Sequence, residues 1–201
     1  MARIAPLAAA DCRELANVFE PLERRLGVVP NSLRTMARKP QLARAIAALG
    51  DVVHRPTSNV STELRRLVGQ VASQTAGCSY CIRLTSRPPV DSQPSTQEKL
   101  ARACRFETDP CFSAAERVAL RFASAAAESP NRVSDDLMAE LRHHYGDDDI
   151  LDLLAVVSYY GFMNRWNATL QTDHEDAPLG TAAPPPTLPG CEPEPVEGGH
   201  R

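Results

Sequence analysis

Apolar residues in this chain recur at spacings of three and four almost from end to end, and no segment shows the two-residue alternation that a half-buried strand requires. Leu15, Val18, Phe19, Leu22 and Leu26 share one helical face, as do Leu42, Ile46, Leu49 and Val53. Leu64, Leu67, Val68, Val71 and Ala72 form a third stripe, and Ala115, Val118, Ala119, Phe122, Ala123 and Ala126 a fourth. Helix punctuation falls between these stripes. Pro30-Asn31-Ser32 reads as a turn and cap, Pro40 suits a first helical turn, and Ser61 and Ser134 read as N-caps. Ser95 with Glu98, and Ser113 with Glu116, have capping-box spacing. Asp147, Asp148 and Asp149 complement the dipole of a last helix that runs to about Leu170. That helix is apolar nearly all round in its middle, which predicts a buried central helix. The fold class expected is all-α.

The pattern divides the chain at about residue 175. Residues 1–175 read as one helical domain. The remainder, 176–201, holds seven of the 17 prolines and almost no bulky apolar residue, the composition of a disordered tail. Cys191 and His200 lie there and are set aside as site residues. A formal charge of −3 and a pI of about 6.0 argue against an electrostatic grip on nucleic acid or an anionic membrane. The most apolar run, Ile150 to Met163, is too short to span a bilayer and contains Asp152. The first residues, MARIAPLAAADC, make a poor signal peptide. A soluble cytoplasmic protein is expected, one that keeps its cysteines reduced unless they do chemistry and needs no cofactor.

Six cysteines are present, and two are close together, Cys78 and Cys81. They follow the helix predicted from Ser61 through Ala76-Gly77, where Gly77 is a natural terminator, and would open the next helix. A thiol there meets unpaired N–H groups and the positive end of the helix dipole, which favours thiolate. Three residues apart, one sulfur can attack a sulfenic acid or mixed disulfide formed on the other. A zinc site would need four ligands, and no second pair with suitable spacing follows. Two incidental buried thiols remain the alternative. His143-His144 read as a solvated face, His54 as a C-terminal helix cation, and Cys104 and Cys111 as ordinary small apolar residues.

The stretch ELRRLVGQVASQTAGCSYC resembles the core of the carboxymuconolactone decarboxylase-like, AhpD-like alkylhydroperoxidase family, on its peroxidase-related branch. LGVVPNSLRTMARKPQLARAIAALGDVV is similar to the N-terminal helices of those members, and LLAVVSYYGFMNRWNATL to their second half. The resemblance covers about residues 20–172. It implies an all-α, AhpD-like helical domain that assembles as a homo-oligomer, a trimer or hexamer. It also implies a thiol-dependent peroxidase or dithiol–disulfide oxidoreductase acting on a small hydroperoxide or disulfide, recharged by a dithiol protein or small thiol. By carry-over, Cys81 is the attacking thiol and Cys78 the resolving one. Tyr80 between them is expected to pack over the thiols.

Two positions depart from the family. Its glutamate twelve residues before the first cysteine is replaced by Arg66, which reads as a solvated side chain on an amphipathic helix. Its histidine three or four residues after the second cysteine is replaced by Leu84 and Thr85. Positioned acid–base groups of this kind are typically worth about 10²–10⁴-fold. The segment IRLTSRPPV also ends the helix early, because Pro88 and Pro89 cannot continue it. The alternative reading is therefore a catalytically degenerate module that kept only an oligomerisation or binding surface. In the last helix, Asn164 is expected to cap a neighbouring helix and Arg165 to pair with a carboxylate.

Overall fold

The computed structural model describes residues 1–55, 58–86 and 93–175. The tail at 176–201 and the Pro88-Pro89 break therefore lie outside the described residues. A 3₁₀ stretch, Ala9–Leu15, leads into α1 (Ala16–Leu26), α2 (Asn31–Met36), α3 (Pro40–His54), α4 (Thr62–Thr75) and α5 (Ser79–Thr85). Then follow α6 (Pro94–Arg102), α7 (Ala114–Ala127), α8 (Asp135–Arg142) and α9 (Asp147–Leu170). No strand occurs among the described residues, so the all-α expectation holds.

Most of the predicted punctuation is in place. The Ser61 hydroxyl accepts from the Leu64 N–H at 3.1 Å, and that of Ser134 from Leu137 at 3.2 Å. The Ser113–Glu116 box makes both its bonds. The Ser95–Glu98 box does not form. Pro94 occupies the first turn and moves the helix start upstream, leaving Gln93 at the cap, and Glu98 instead pairs with Arg102 at 2.7 Å.

The core has two parts. The larger fills the space between α4, α7 and α9 with Leu67, Val68, Val71, Leu120, Leu153 and Val156. Beneath α4, the Arg65 guanidinium is fully buried and donates to the carbonyls of Val53 and Val60 at 3.0 and 3.1 Å. It also pairs with Asp152, so one side chain ties α3 and α4 to α9. The smaller part joins the N-terminal helices to α5 and the end of α9. It holds Leu15, Phe19, Leu33, Met36, Ile46 and Met163, and both cysteines of the pair.

The last helix is less central than its composition predicts. Its inner face is buried, but Leu151 is 62% exposed, and Leu154 and Phe162 are also bare. Leu49 and Val52 of α3, which packs against α9, are exposed as well. No described helix is long and apolar enough to cross a membrane.

Candidate active site

The dithiol is set by the way α4 stops. Gly77 takes φ 64°, and its N–H reaches the Gln74 carbonyl at 3.0 Å while the Cys78 N–H reaches that of Ser73 at 3.2 Å. These two bonds close a Schellman ending and reverse the chain. A side chain at Gly77 would meet nothing within 4 Å, but its left-handed backbone favours glycine. Cys78 follows as the N-cap of α5, and Cys81 lies one turn in, as the sequence predicts.

Both thiols are 2% exposed, yet their surroundings differ. Cys78 is flanked by exposed Gly77 and Ser79, whereas Cys81 lies deeper, between Tyr80 and Ile82. Cys78 is pulled down to about 7, first by a hydrogen bond from the Cys81 thiol and then, against burial, by the backbone N–H groups of Cys81 and Tyr80. Cys81 is pushed far above the ordinary thiol value because it donates to Cys78, is buried and faces the Cys78 charge. Opposing that rise, the Asn167 side-chain N–H donates to the Cys81 sulfur at 3.2 Å. The remaining free cysteines among the described residues, Cys12 and Cys111, are both raised by burial. Cys104 is disulfide-bonded, which corrects its reading as an ordinary apolar residue.

Tyr80 packs as expected, 3% exposed, and the C-terminal segment fixes it there. Its hydroxyl donates to Glu175 Oε1 at 2.5 Å and accepts the Ser32 N–H at 3.3 Å. The His174 ring stacks on it at 5.6 Å, and Glu175 Oε1 also accepts the Asn31 N–H at 2.9 Å. Residues 173–175 thus strap the helix that carries the thiols. Nothing in their sequence pattern marked them, because the partners, Tyr80 and Asn31, are distant in sequence.

The relay positions hold no proton-transfer group at the sulfur. Thr85 donates its hydroxyl to the Cys81 carbonyl at 2.8 Å, and Leu84 packs against the smaller core. Arg66 is not solvated: it turns inward, and burial and the neighbouring Arg25 lower its pKa while Tyr160 raises it. His54 sits beside it and is not the cation expected at a helix end. Burial, aided by Arg25, Arg66 and Arg65, lowers it to about 4 against the pull of the Gly50 carbonyl, so the imidazole is neutral. Its Nδ1 lies 2.7 Å from the Gly50 carbonyl and donates there, leaving Nε2 to accept from the Tyr160 hydroxyl at 3.3 Å.

Asn164 does cap a neighbour, donating to the Ala72 carbonyl near the end of α4 at 3.5 Å. Arg165 bonds the Gly161 carbonyl of its own helix instead of a carboxylate. His143 and His144 are exposed, as expected. Among the described residues, no three His, Cys, Asp or Glu side chains are grouped so as to hold a metal ion.

The carboxymuconolactone decarboxylase family pattern matches residues 40–125, which include the turn and both thiols. The crystal structure of the debrominase Bmp8 without ligand is similar over 94% of this chain and 97% of its own, at 32% identity and a TM-score of 0.79. The chain belongs to the carboxymuconolactone decarboxylase, AhpD-like family. A cysteine-to-alanine variant of Bmp8, solved in complex with 2,3,4-tribromopyrrole, is similar at 31% identity and a TM-score of 0.78, over 87% of this chain and 92% of that one. A peroxidase-related family protein from Silicibacter sp. TM1040 shares the fold at 23% identity and a TM-score of 0.71, over 87% of this chain and 92% of its own. The YnjA protein of Escherichia coli (strain K12) is 26% identical over 147 residues, 73% of this chain and 80% of that protein.

Proposed function

We propose that this AhpD-like protein is a thiol-dependent oxidoreductase in which Cys78 attacks a small electrophile and Cys81 closes the disulfide. The carrying observation is the place of Cys78 at the N-cap of α5 between exposed Gly77 and Ser79, with Cys81 one turn further into the helix. The order is the reverse of the one the family resemblance implies. What supports it is the N-cap position of Cys78, the proton it receives from Cys81, and its exposed neighbours Gly77 and Ser79.

With a hydroperoxide, the Cys78 thiolate displaces alkoxide: an S–O bond forms, the O–O bond breaks, and Cys78 becomes a sulfenic acid. The Cys81 sulfur then attacks the Cys78 sulfur. The S–S bond forms, the S–O bond breaks, and the departing oxygen takes the Cys81 proton and leaves as water. A dithiol protein or small thiol returns the disulfide to the reduced pair by exchange. The apolar surface of α3 and α9 suits a homo-oligomer.

Similarity to the debrominase across nearly the whole chain favours a second substrate class, a brominated heteroaromatic ring. The electron balance is the same. The Cys78 sulfur takes the bromine as the ring carbon gains a proton, and Cys81 then displaces bromide to give the disulfide.

The test is consumption of tert-butyl hydroperoxide, and bromide release from a bromopyrrole, by the full chain with dithiothreitol as reductant. Wild type should turn over with at least one of them. Cys78→Ser should be inactive, and Cys81→Ser, assayed without external thiol, should consume one equivalent without forming the disulfide. Equal rates for wild type and Cys78→Ser with both substrates would sink the enzymatic reading and leave the degenerate module.

A further inference from the structure

We propose that Asn167 is a catalytic residue of the dithiol centre, its side-chain N–H carrying Cys81 through the thiolate state in which that sulfur closes the disulfide. The inference rests on the dithiol chemistry proposed above and assigns the residue on which its second step depends.

Asn167 lies in the last turn of α9, 86 residues from Cys81 in sequence, and is 2% exposed. Its Nδ2 donates to the Cys81 sulfur at 3.2 Å. Its Oδ1 is buried and has no hydrogen-bond partner among the described residues. Burying an amide carries a desolvation cost that is offset only by the bonds it makes. At Asn167 the side-chain bond goes to a sulfur. For comparison, Asn164, one turn earlier, gives its N–H to the backbone of α4, an ordinary structural use.

The proton arrangement gives this contact its role. In the resting pair Cys78 is the thiol whose value is lowered and Cys81 the one raised, and the Asn167 side-chain N–H donates to the Cys81 sulfur at 3.2 Å. Once Cys78 is oxidised, its negative charge is gone, and with it much of what held the Cys81 proton. Cys81 must then approach the thiolate state in a buried site. Tyr159 and Tyr160 of α9, both neutral through burial, are coupled electrostatically to this sulfur and supply no positive charge. The Asn167 N–H is the donor in contact with the sulfur on which negative charge develops, and a hydrogen bond to a charged acceptor is worth more than one to a neutral thiol. It therefore stabilises the closing step more than the resting pair.

Two variants test this, Asn167→Leu and the smaller Asn167→Ala, both of which remove the donor without adding a charge beside the sulfurs. Reduced protein is pulsed with tert-butyl hydroperoxide, the sulfenic acid is trapped with dimedone, and disulfide closure is followed by quenched flow. Oxidation of Cys78 should proceed at close to the wild-type rate. Closure should slow by about 10–100-fold, the range for losing one hydrogen bond to a charged group, and trapped sulfenic acid should accumulate. Closure at the wild-type rate in both variants would overturn the proposal. A second readout needs no peroxide: the pH profile of Cys81 alkylation by iodoacetamide in a Cys78→Ser background. Adding Asn167→Leu should move its midpoint up by about 1–2 pH units. An unmoved midpoint would refute the role of Asn167 whatever the substrate. A wild type that never forms the disulfide, with the midpoint still shifted, would count against the oxidoreductase reading and not against the contact.

Discussion

His54 should make the stability of this protein depend on pH in a way that one substitution isolates. In the folded chain the imidazole is half-buried between α3 and α9, donates to the Gly50 carbonyl and accepts from Tyr160. Arg25, Arg65 and Arg66 face it with positive charge, Tyr159 and Tyr160 face it with neutral rings, and its value falls from 6.5 to about 4. The unfolded chain takes up a proton below about 6.5 that the folded chain refuses until about 4. The unfolded state therefore binds more protons in this window, and stability falls as the pH falls through it. The contribution is fully present above pH 6.5 and lost by pH 4. A shift of this size is worth about 3 kcal/mol at 1.36 kcal/mol per unit. Other groups titrate across the same range, so the measurement is the difference between wild type and His54→Leu in urea melts from pH 7.5 to 4. At pH 7.5 the variant should be less stable by about 1–3 kcal/mol, because the Tyr160 hydroxyl loses its acceptor. The gap should narrow as the pH falls and then reverse. Parallel pH profiles for the two proteins would refute the neutral assignment.

Three other perturbations probe separate parts of the fold and site. A Cβ at Gly69 would lie 2.2 Å from Cε2 of the buried Tyr160 ring; Gly69→Ala should therefore lose about 1–2 kcal/mol in urea melts, overpacking outweighing the roughly 1 kcal/mol gain in helix propensity. Asp152→Ala leaves the buried Arg65 guanidinium without its carboxylate and should cost about 3–5 kcal/mol by the same assay, with Arg65→Met and Asp152→Leu together recovering much of it. Iodoacetamide alkylation of Cys78 should show a midpoint near pH 7 that rises when Cys81→Ala removes the donating thiol, since that bond is the largest cause of the lowered value; an unchanged midpoint would refute the shared-proton description.

The helices were legible in the sequence because most carry a local signal, an apolar stripe, and three of them a serine cap as well. The exception at Ser95 is instructive: two local signals competed, and Pro94 in the first turn won over the capping box. The last helix shows a different limit. Periodicity identifies apolar residues, but which of them face the core depends on what packs there, and Leu151 and Phe162 face outward. At the site, Cys78 and Cys81 were legible as a pair because the glycine-terminated helix before them is a local feature. Asn167, Glu175 and the His54–Tyr160 contact were not. Each acts on one or two atoms far away in the sequence, and no periodic pattern records such a meeting.

Replacement of the family's glutamate and histidine need not leave the pair without proton management. Arg66 occupies the glutamate position, and its charge acts on Tyr160 and His54. What remains at the sulfurs is the pair itself, with Cys78 lowered by Cys81 and by backbone N–H groups, and the Asn167 amide donating to Cys81. On the proposed chemistry the pair suffices for the internal steps. Cys78 reacts as the thiolate and needs no base, and the Cys81 proton leaves with the departing oxygen when the disulfide closes. An external donor is needed only for the alkoxide. The cost of the missing relay should then appear in the peroxide-cleaving step, where leaving-group protonation helps, and not in disulfide closure. A hydroperoxide with an acidic leaving alcohol should close most of the gap to a relay-bearing homologue, whereas tert-butyl hydroperoxide should leave it wide. A gap of equal size for both substrates would place the deficit elsewhere, in access to the buried thiols beneath the Tyr80–Glu175 strap.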